Sequence, residues 1–137
     1  MYPEELCTPM RLDLTEAGFE EMKTSDEVSA VLDQKEGSVL VMINSVCGCA
    51  AGNARPAVKM AAKHSKTPTK LTTVFAGQDK EAVAKVREYC LPYPPSSPSI
   101  ALFKDGDLVH FIERHHIEGR PAAMIADNLT QAFDDYC

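Results

Sequence analysis

Two short apolar runs rich in β-branched residues lie in the middle of the chain and predict buried strands. They are 38–44 (SVLVMIN) and 70–75 (KLTTVF). Apolar runs of this length are typical of strands that are covered on both faces. Between them, alanines recur at helical spacing, and Pro56 predicts a kink in that helix. The order strand, helix, strand predicts a βαβ unit with a right-handed crossover.

The pattern near the C-terminus predicts a hairpin and a final helix. The runs 99–104 and 108–113 flank Asp105-Gly106, a dipeptide that favours a tight antiparallel turn. Pro121 then lies where the first turn of a helix tolerates proline. The predicted buried stripe of this helix consists of Met124, Ile125, Leu129, Ala132 and Phe133.

The first third of the chain predicts two helices. Thr24 and Glu27 form a capping box in front of an apolar helical pattern, which we expect Gly37 to end. The segment 9–21 is expected to be partly helical, although Gly18 weakens that prediction. Both helices are interpreted as packing elements.

One more helix is predicted between the second strand and the hairpin. Asp79 or Gln78 is expected to cap it, and it should end near Cys90. The loop that follows carries four of the nine prolines, and Pro98, directly before the hairpin, is a candidate for a cis peptide bond. The full order is helix, βαβ, helix, hairpin, helix, which predicts an α/β domain.

Length and composition agree with one α/β domain. The chain has 137 residues, of which 45% are hydrophobic, so residues 1–137 are expected to form a single domain around one core. No run approaches the roughly 18 apolar residues that a membrane helix needs. The start, MYPEELCTPMRLD, lacks the basic and apolar regions of a signal peptide. We therefore expect a cytoplasmic protein without a membrane partner.

The charges are unevenly distributed. The net charge of −6 argues against a nucleic-acid partner. However, residues 38–78 contain five basic and no acidic residues, and we expect their field to favour an anionic sulfur and anionic substrates. A solvated helix face has the same spacing. The five cations are Arg55, Lys59, Lys63, Lys66 and Lys70.

The cysteines supply the candidate chemistry. Their number, five, is odd, and without a secretion signal a structural disulfide framework is not expected. Cys47-Gly48-Cys49 lies where a buried strand ends and a helix begins, which favours a thiolate at Cys47. A disulfide across one residue is strained and easily reduced, so the pair is predicted to be a redox couple. Cys47 is the expected nucleophile and Cys49 the resolving thiol.

Other interpretations of the cysteines stay open. The pair could supply two thiolate ligands to zinc or an iron–sulfur cluster, with Cys90, His64, His115 or His116 as further donors, although their spacing is not that of a known site. We predict no metal. Cys7, on an expected mobile segment, and Cys90 are interpreted as incidental thiols. Cys137 is interpreted in the same way, but it could reach another sulfur if the last helix packs nearby. The run 113–116 is expected to be solvated.

Several motifs together resemble a thioredoxin fold. The dithiol at a strand-to-helix turn, Pro56 in the helix and Ser97-Pro98 before the hairpin carry this likeness, although the usual Cys-x-x-Cys is absent. The likeness implies a three-layer α/β fold with a central mixed sheet. In it, a βαβ unit is followed by an antiparallel ββα unit, and a helical segment is added at the N-terminus. Gly48, Ser97 and Pro98 are expected to form the substrate groove.

A more specific likeness extends over the whole chain. The segments NSVCGCAAG (44–52), ARP (54–56), VFAGQDKE (74–81) and SSPS (96–99) resemble the bacilliredoxin family, as do the hairpin strand 109–112, Arg114-His115 and the terminal Cys137. The resemblance implies a bacterial cytosolic thiol–disulfide oxidoreductase that removes bacillithiol from S-bacillithiolated client proteins. It also implies no bound cofactor, with bacillithiol, a low-molecular-weight thiol, as co-substrate.

The same resemblance implies the roles of the site residues. Cys47 attacks the mixed disulfide and holds the bacillithiol adduct, and either Cys49 or a second bacillithiol removes it. Arg55 and Cys137 are possible auxiliary residues. Three alternatives remain: a general disulfide isomerase or reductase with the same dithiol, a metal or iron–sulfur carrier, and a redox sensor that binds without turnover.

Overall fold

A computed structural model describes residues 1–137 and contains five strands and five α-helices. The strands are β1 (Glu20–Glu21), β2 (Ser38–Asn44), β3 (Lys70–Phe75), β4 (Ser99–Lys104) and β5 (Asp107–Ile112). The helices are α1 (Glu4–Thr15), α2 (Ser25–Leu32), α3 (Arg55–Ala61), α4 (Lys80–Tyr89) and α5 (Ala122–Tyr136). A π-helical turn (Ala50–Ala54) precedes α3, and a 3-10 turn (Arg114–His116) follows β5.

The strands form one mixed sheet in the order β1-β3-β2-β4-β5. The central strand β2 pairs in parallel with β3 and antiparallel with β4, so that Val41 lies between Thr72 and Ala101. The short β1 extends the parallel side, and β5 completes an antiparallel hairpin with β4. Every residue of β2 is buried, as expected of a central strand covered on both faces.

Two hydrophobic layers cover the two faces of the sheet. Leu40 and Met42 point to one face and pack with residues of α1, α3 and α5. Val41 and Ile43 point to the other face and pack with residues of α2 and α4. The alternation follows from the two-residue period of a strand, and it gives the helix–sheet–helix layering that the motifs predicted.

Most predicted elements are confirmed. The bounds of β2, β3 and β4 agree with the apolar runs. The Thr24 side chain accepts a hydrogen bond from the Glu27 N–H at 3.1 Å, as a capping box requires. The hairpin turn places Asp105 at φ +50° and Gly106 at φ +87°, the left-handed conformation that this dipeptide tolerates.

The prediction for the first third needs correction. The first helix spans Glu4–Thr15 instead of starting at residue 9, and it ends before Gly18, whose φ is +99°. Glu20–Glu21 then pairs with β3 as an edge strand, which two acidic residues do not indicate. Helix α2 ends at Leu32, several residues before Gly37.

Two predictions for later helices also differ from the structure. The expected kink at Pro56 is a π-helical turn that directly precedes α3, in whose first turn Pro56 lies. Proline lacks the N–H of a regular turn, so it is tolerated there. Met124 is 54% exposed, because Ile125, Ala126 and Leu129 form the buried face of α5 instead.

No helix of the chain combines the length and the apolar character that crossing a membrane requires.

Candidate active site

The sheet topology brings four loops to one edge. The end of β2 lies beside the end of β3, since Asn44 pairs with Phe75. Because β4 is antiparallel to β2, the start of β4 lies at this same edge, where Ser99 pairs with Ile43. The end of β5 is there too, since Ile112 pairs with Ile100. Four segments therefore meet at this edge: the loop that holds the Cys pair, residues 76–79, Ser97-Pro98 and the 3-10 turn.

The two cysteines lie side by side in the loop after β2. Their Sγ atoms are 2.7 Å apart, and both side chains are partly exposed. The backbone N–H of Cys49 points to Sγ of Cys47 at 3.4 Å. Gly48 between them is exposed, with no atom near the position that a side chain would occupy. Two thiols at this separation can exchange a disulfide bond without movement of the fold.

The two thiols differ in acidity. The pKa of Cys47 is lowered, first by the hydrogen bond from the Cys49 thiol and then by the Cys49 N–H and the charge of Arg114, while burial acts in the opposite direction. Burial raises the pKa of Cys49 to about 11, and the neighbouring Cys47 adds to that shift. Cys47 is thus the thiol that ionises first.

Arg114 is the cation that reaches the sulfur. Its Nη2 donates to Sγ of Cys47 at 3.3 Å, and its Nη1 donates to the Ser97 carbonyl oxygen at 3.3 Å. Glu118 pairs with Nε of the same guanidinium. From the sequence, this arginine is expected only as part of the solvated run 113–116. Its position just after β5, a hairpin strand that ends at the same edge of the sheet as the Cys47 loop, is the signal that could have identified it as a site residue.

The cations of residues 38–78 do not supply the charge beside the sulfur, which corrects the expectation. Lys59 pairs with Asp13 at 2.6 Å, and Lys66 donates to the Asp134 carbonyl oxygen at 3.2 Å. Lys70 begins β3 and therefore lies at the opposite edge of the sheet. The positive charge at the thiolate comes from Arg114, in a segment with a negative net charge.

Arg55, expected as an auxiliary residue, supports the loop that holds Cys47. It is only 4% exposed, and its Nη1 donates to the Asn44 Oδ1 at 2.9 Å and to the Ser45 carbonyl oxygen at 3.0 Å. Ser45 Oγ in turn accepts the Cys47 N–H at 3.2 Å. Asp13 lies 3.4 Å from its Nε. Arg55 is therefore a positioning residue for the Cys47 loop and does not contact the sulfur.

A groove of about 380 Å³ opens beside Cys47. Ser97 and Arg114 line it, together with Tyr2, Ala76 and Gly77. Of the three predicted groove residues, Ser97 is thus in the lining, whereas Gly48 lies between the cysteines and Pro98 is buried. The peptide bond before Pro98, the candidate for a cis bond, is cis, and Leu91–Pro92 is a second cis bond for which the sequence named no candidate.

One wall of the groove, formed by Tyr2, has no signal in the sequence. Tyr2 is far from the cysteines in sequence, and its side chain reaches the groove only through the contact of the first residues with the loop after β3. An aromatic residue before an amphipathic helix has no distinctive pattern of its own.

The other three cysteines lie away from the pair. Cys7 is fully buried in α1 instead of lying on a mobile segment, and burial raises its pKa. Cys90 is 2% exposed, and burial raises its pKa to about 12. Both are core thiols.

Cys137 lies at the far end of the helix pair formed by α3 and α5. Asn53, before α3, bonds the Arg120 carbonyl before α5, and His64, after α3, contacts Asp134 near the end of α5. The two helices therefore run in the same direction. At 1.5 Å per residue, Cys137 lies on the order of 20 Å from Cys47. In this fold the end of α5 therefore does not bring Cys137 within reach of the pair.

The metal interpretation finds no ligand set at the pair. One cluster of three ligand groups exists, Glu113, His115 and His116, with ligand atoms within 4.8 Å of one another, and it includes neither cysteine. His64 and Cys90, the other proposed donors, lie at the end of α3 and in the core. A metal site with four protein ligands would need two donors in addition to Cys47 and Cys49, and the fold does not bring two more donors beside the pair.

Comparison with known proteins identifies relatives over nearly the whole chain. Residues 2–137 match the family model described as Disulphide isomerase. A protein of Cytophaga hutchinsonii named Bacilliredoxin is 61% identical over 135 residues, which cover 98% of this chain and 99% of that protein. A bacilliredoxin of Halalkalibacterium halodurans is 53% identical over 136 residues, covering 99% of this chain and 94% of that protein.

Solved structures resemble the fold at low sequence identity. A structure described as a putative oxidoreductase with a thioredoxin fold has a TM-score of 0.65 at 16% identity, and the match covers 85% of this chain and 95% of that one. The thioredoxin of Fasciola hepatica has a TM-score of 0.56 at 13% identity, with 87% and 100% covered. These matches confirm the predicted thioredoxin-like α/β fold.

Proposed function

Since the chain belongs to the bacilliredoxin family and is a thiol–disulfide oxidoreductase, we propose that it removes bacillithiol from S-bacillithiolated proteins. The observation that carries the proposal is the asymmetry of the dithiol: the Cys47 sulfur accepts a hydrogen bond from the Arg114 guanidinium, whereas Cys49 has a raised pKa. A thiolate beside a protonated partner thiol is the arrangement needed for attack followed by resolution.

The first step transfers bacillithiol to the enzyme. The Cys47 thiolate attacks the bacillithiol sulfur of the mixed disulfide, a new sulfur–sulfur bond forms, and the client cysteine leaves as a thiolate that takes up a proton. The client is reduced, and the disulfide bond now joins bacillithiol to Cys47. The Arg114 guanidinium favours this step because it stabilises the attacking anion before the substrate arrives.

The second step releases the small thiol. Cys49, 2.7 Å away, loses its proton and attacks Sγ of Cys47, which closes the Cys47–Cys49 disulfide and expels bacillithiol as a thiolate. Alternatively, the thiolate of a second bacillithiol attacks the bacillithiol sulfur of the adduct, Cys47 leaves as a thiolate, and the two small thiols depart as bacillithiol disulfide. Two low-molecular-weight thiols restore the reduced dithiol in the first case, so bacillithiol acts as a co-substrate and no bound cofactor is needed.

The surroundings support an anionic thiol and a reducing compartment. Bacillithiol carries a malate group, and the groove beside Cys47 includes the Arg114 cation. A reduced dithiol that works catalytically needs a compartment that keeps thiols reduced, so we propose the cytoplasm as the location and S-bacillithiolated cytosolic proteins as the clients.

A trapping experiment tests the proposal. A bacillithiolated model protein is incubated with the Cys49→Ala variant, and intact-mass and peptide-mass measurements follow the transfer. We expect one bacillithiol on Cys47 and an equal amount of reduced client. Cys47→Ala should accept none, and Cys137→Ser, as the matched control, should behave like the unmodified protein. Full activity of Cys47→Ala contradicts the mechanism.

A second candidate function is general disulfide isomerisation, which the description of the matching family favours. It would use the same two cysteines. The rate on a scrambled protein disulfide, compared with the rate on the bacillithiolated protein, separates the two functions. We expect the bacillithiol mixed disulfide to react faster, because a dithiol with a single-residue spacer is strained when it closes.

A further inference from the structure

Gln78 holds the backbone of Tyr2 beside the groove. The Tyr2 N–H donates to Gln78 Oε1 at 2.6 Å, and the Tyr2 carbonyl oxygen accepts from Nε2 at 3.0 Å. The same Nε2 lies 3.0 Å from Glu4 Oε2. One amide side chain thus pairs with both backbone groups of a residue 76 positions away, which fixes where the Tyr2 side chain begins.

Gly77 leaves room for the Tyr2 ring. Its φ of +87° favours glycine, and a side chain at this position would put its Cβ 3.1 Å from Cε2 of Tyr2. Two adjacent residues of one loop therefore serve the same distant tyrosine, since Gly77 accommodates the ring and Gln78 binds the backbone. These two contacts give the Tyr2 side chain a defined position beside the groove.

A buried ion pair fastens the same segment at a second point. Arg11 is 8% exposed, and its Nε donates to Glu4 Oε1 at 2.7 Å. The other guanidinium nitrogens donate to both carboxylate oxygens of Asp79, at 2.8 and 3.0 Å. Asp79 follows Gln78, so α1 and the loop after β3 are joined at a second point next to the Tyr2 contact.

The groove has the size and lining of a small-molecule site. Its volume of about 380 Å³ falls in the range of ligand pockets, and Tyr2, Ser97 and Arg114 line it with Cys47. After the first step of the proposed reaction, the body of the small thiol is attached to the Cys47 sulfur and must occupy the space around it. A phenol ring and a guanidinium suit a polar organic anion.

From this arrangement we infer that Tyr2 is a binding residue for bacillithiol, its ring packing against the body of the thiol held on Cys47. Arg114 completes the site: once the Cys47 sulfur is in a disulfide it carries no charge, so Nη2 of the guanidinium, which otherwise donates to that sulfur, can pair with a carboxylate of the adduct. The inference rests on the proposed function, and it adds that the small thiol is recognised by this groove.

Steady-state kinetics on two substrates tests the inference. The same model protein carries bacillithiol on its cysteine in one substrate and mercaptoethanol, which is neutral and short, in the other. For Tyr2→Ala we expect the KM for the bacillithiolated substrate to rise about tenfold with kcat changed less than about twofold, as expected for the loss of one aromatic contact. The mercaptoethanol substrate should be affected less than about twofold, because it does not extend to Tyr2.

Two further variants sharpen the test. Gln78→Ala releases the Tyr2 backbone and should give the same selective rise in KM. Tyr136→Ala, which removes an exposed tyrosine at the end of α5, is the matched control and should leave both substrates unaffected. Tyr2→Phe keeps the ring and should retain most of the affinity.

The outcomes distinguish this inference from the proposed function. If the unmodified protein does not act on the bacillithiolated substrate, the proposed function fails. If it does act and Tyr2→Ala has an unchanged KM, the inference alone is overturned. An equal loss on both substrates also overturns it, because Tyr2 would then only support the fold.

Discussion

Arg114 and Cys47 are 67 positions apart in sequence, and the guanidinium Nη2 of one lies 3.3 Å from the Sγ of the other. The contact exists because β2 and β5 both end at the same edge of the sheet. Glu118 holds the arginine from the other side, and the Ser97 carbonyl oxygen accepts a further N–H. The cation is thus fixed in place before any substrate binds, which reduces the reorganisation that ionising Cys47 requires.

The substitution Arg114→Ala should raise the pKa of Cys47, because the anion loses a positive neighbour. At neutral pH, where less thiolate is then present, alkylation of Cys47 should slow by about three- to tenfold. At a pH high enough to ionise the Cys47 thiol in both proteins, the variant should react faster than the protein without the substitution, since a more basic thiolate is the stronger nucleophile. The pH dependence of thiolate absorbance and of the alkylation rate measures both effects.

Arg120→Ala is the control for charge, because it removes an exposed arginine close to the same turn. It should leave the titration of Cys47 unchanged, and Arg114→Lys should lie between the two. If the curves for Arg114→Ala and the unmodified protein coincide over the whole pH range, Arg114 has no part in stabilising the thiolate.

Alkylation of the reduced protein at neutral pH should modify Cys47 before Cys49. The pKa of Cys47 is lowered by its hydrogen bonds and by Arg114, whereas that of Cys49 is raised to about 11 by burial and by its neighbour. Cys7 and Cys90, which are buried, should react only after denaturation. Peptide mass spectrometry at a series of short times gives the order. Earlier labelling of Cys49 would reverse the assignment of nucleophile and resolving thiol.

The sequence predicted the parts of the site that depend on local patterns. An apolar run predicted the end of β2 and therefore the position of Cys47, and the residues before the hairpin made Pro98 a candidate for the cis bond that the structure contains. Arg114 and Tyr2 were missed because their roles depend on which strand ends meet and on a contact across the whole chain. Neither of these is encoded in neighbouring residues.

Counting charges along the chain led to the wrong cations for the same reason. A run of five basic residues suggested a positive site, but α1 contributes Asp13, which pairs with Lys59 and lies beside Arg55. Pairing between distant segments decides which charges remain available. Arg114, the cation that contacts the Cys47 sulfur, comes from residues 79–137, whose net charge is negative.

Replacing Arg55 by methionine should destabilise the protein by about 2–3 kcal/mol, because the buried Asn44 Oδ1 and Ser45 carbonyl oxygen both lose a charged donor. The loop that holds Cys47 should also loosen and its alkylation rate change. Urea unfolding monitored by circular dichroism gives the free energy of unfolding. Lys59→Met, which removes the half-exposed partner of the same Asp13, should cost less than about 0.5 kcal/mol. Equal costs would show that Arg55 acts only through its ion pair.

Cys137→Ser should leave release of the small thiol unchanged, although a third cysteine in a protein with a redox pair suggests a resolving role. Helices α3 and α5 run in the same direction, and the contact of Asp134 with His64 places Cys137 beside the far end of α3. The separation from Cys47, on the order of 20 Å, is about ten times a sulfur–sulfur bond, so no disulfide between them can form in this fold. Single-turnover release of bacillithiol from the preformed Cys47 adduct measures the effect. Prior replacement of Cys49 by alanine should abolish release in the absence of added thiol, whether or not Cys137 is present. Release that persists in Cys49→Ala and disappears on the further loss of Cys137 would require the end of α5 to leave its position and would assign resolution to Cys137.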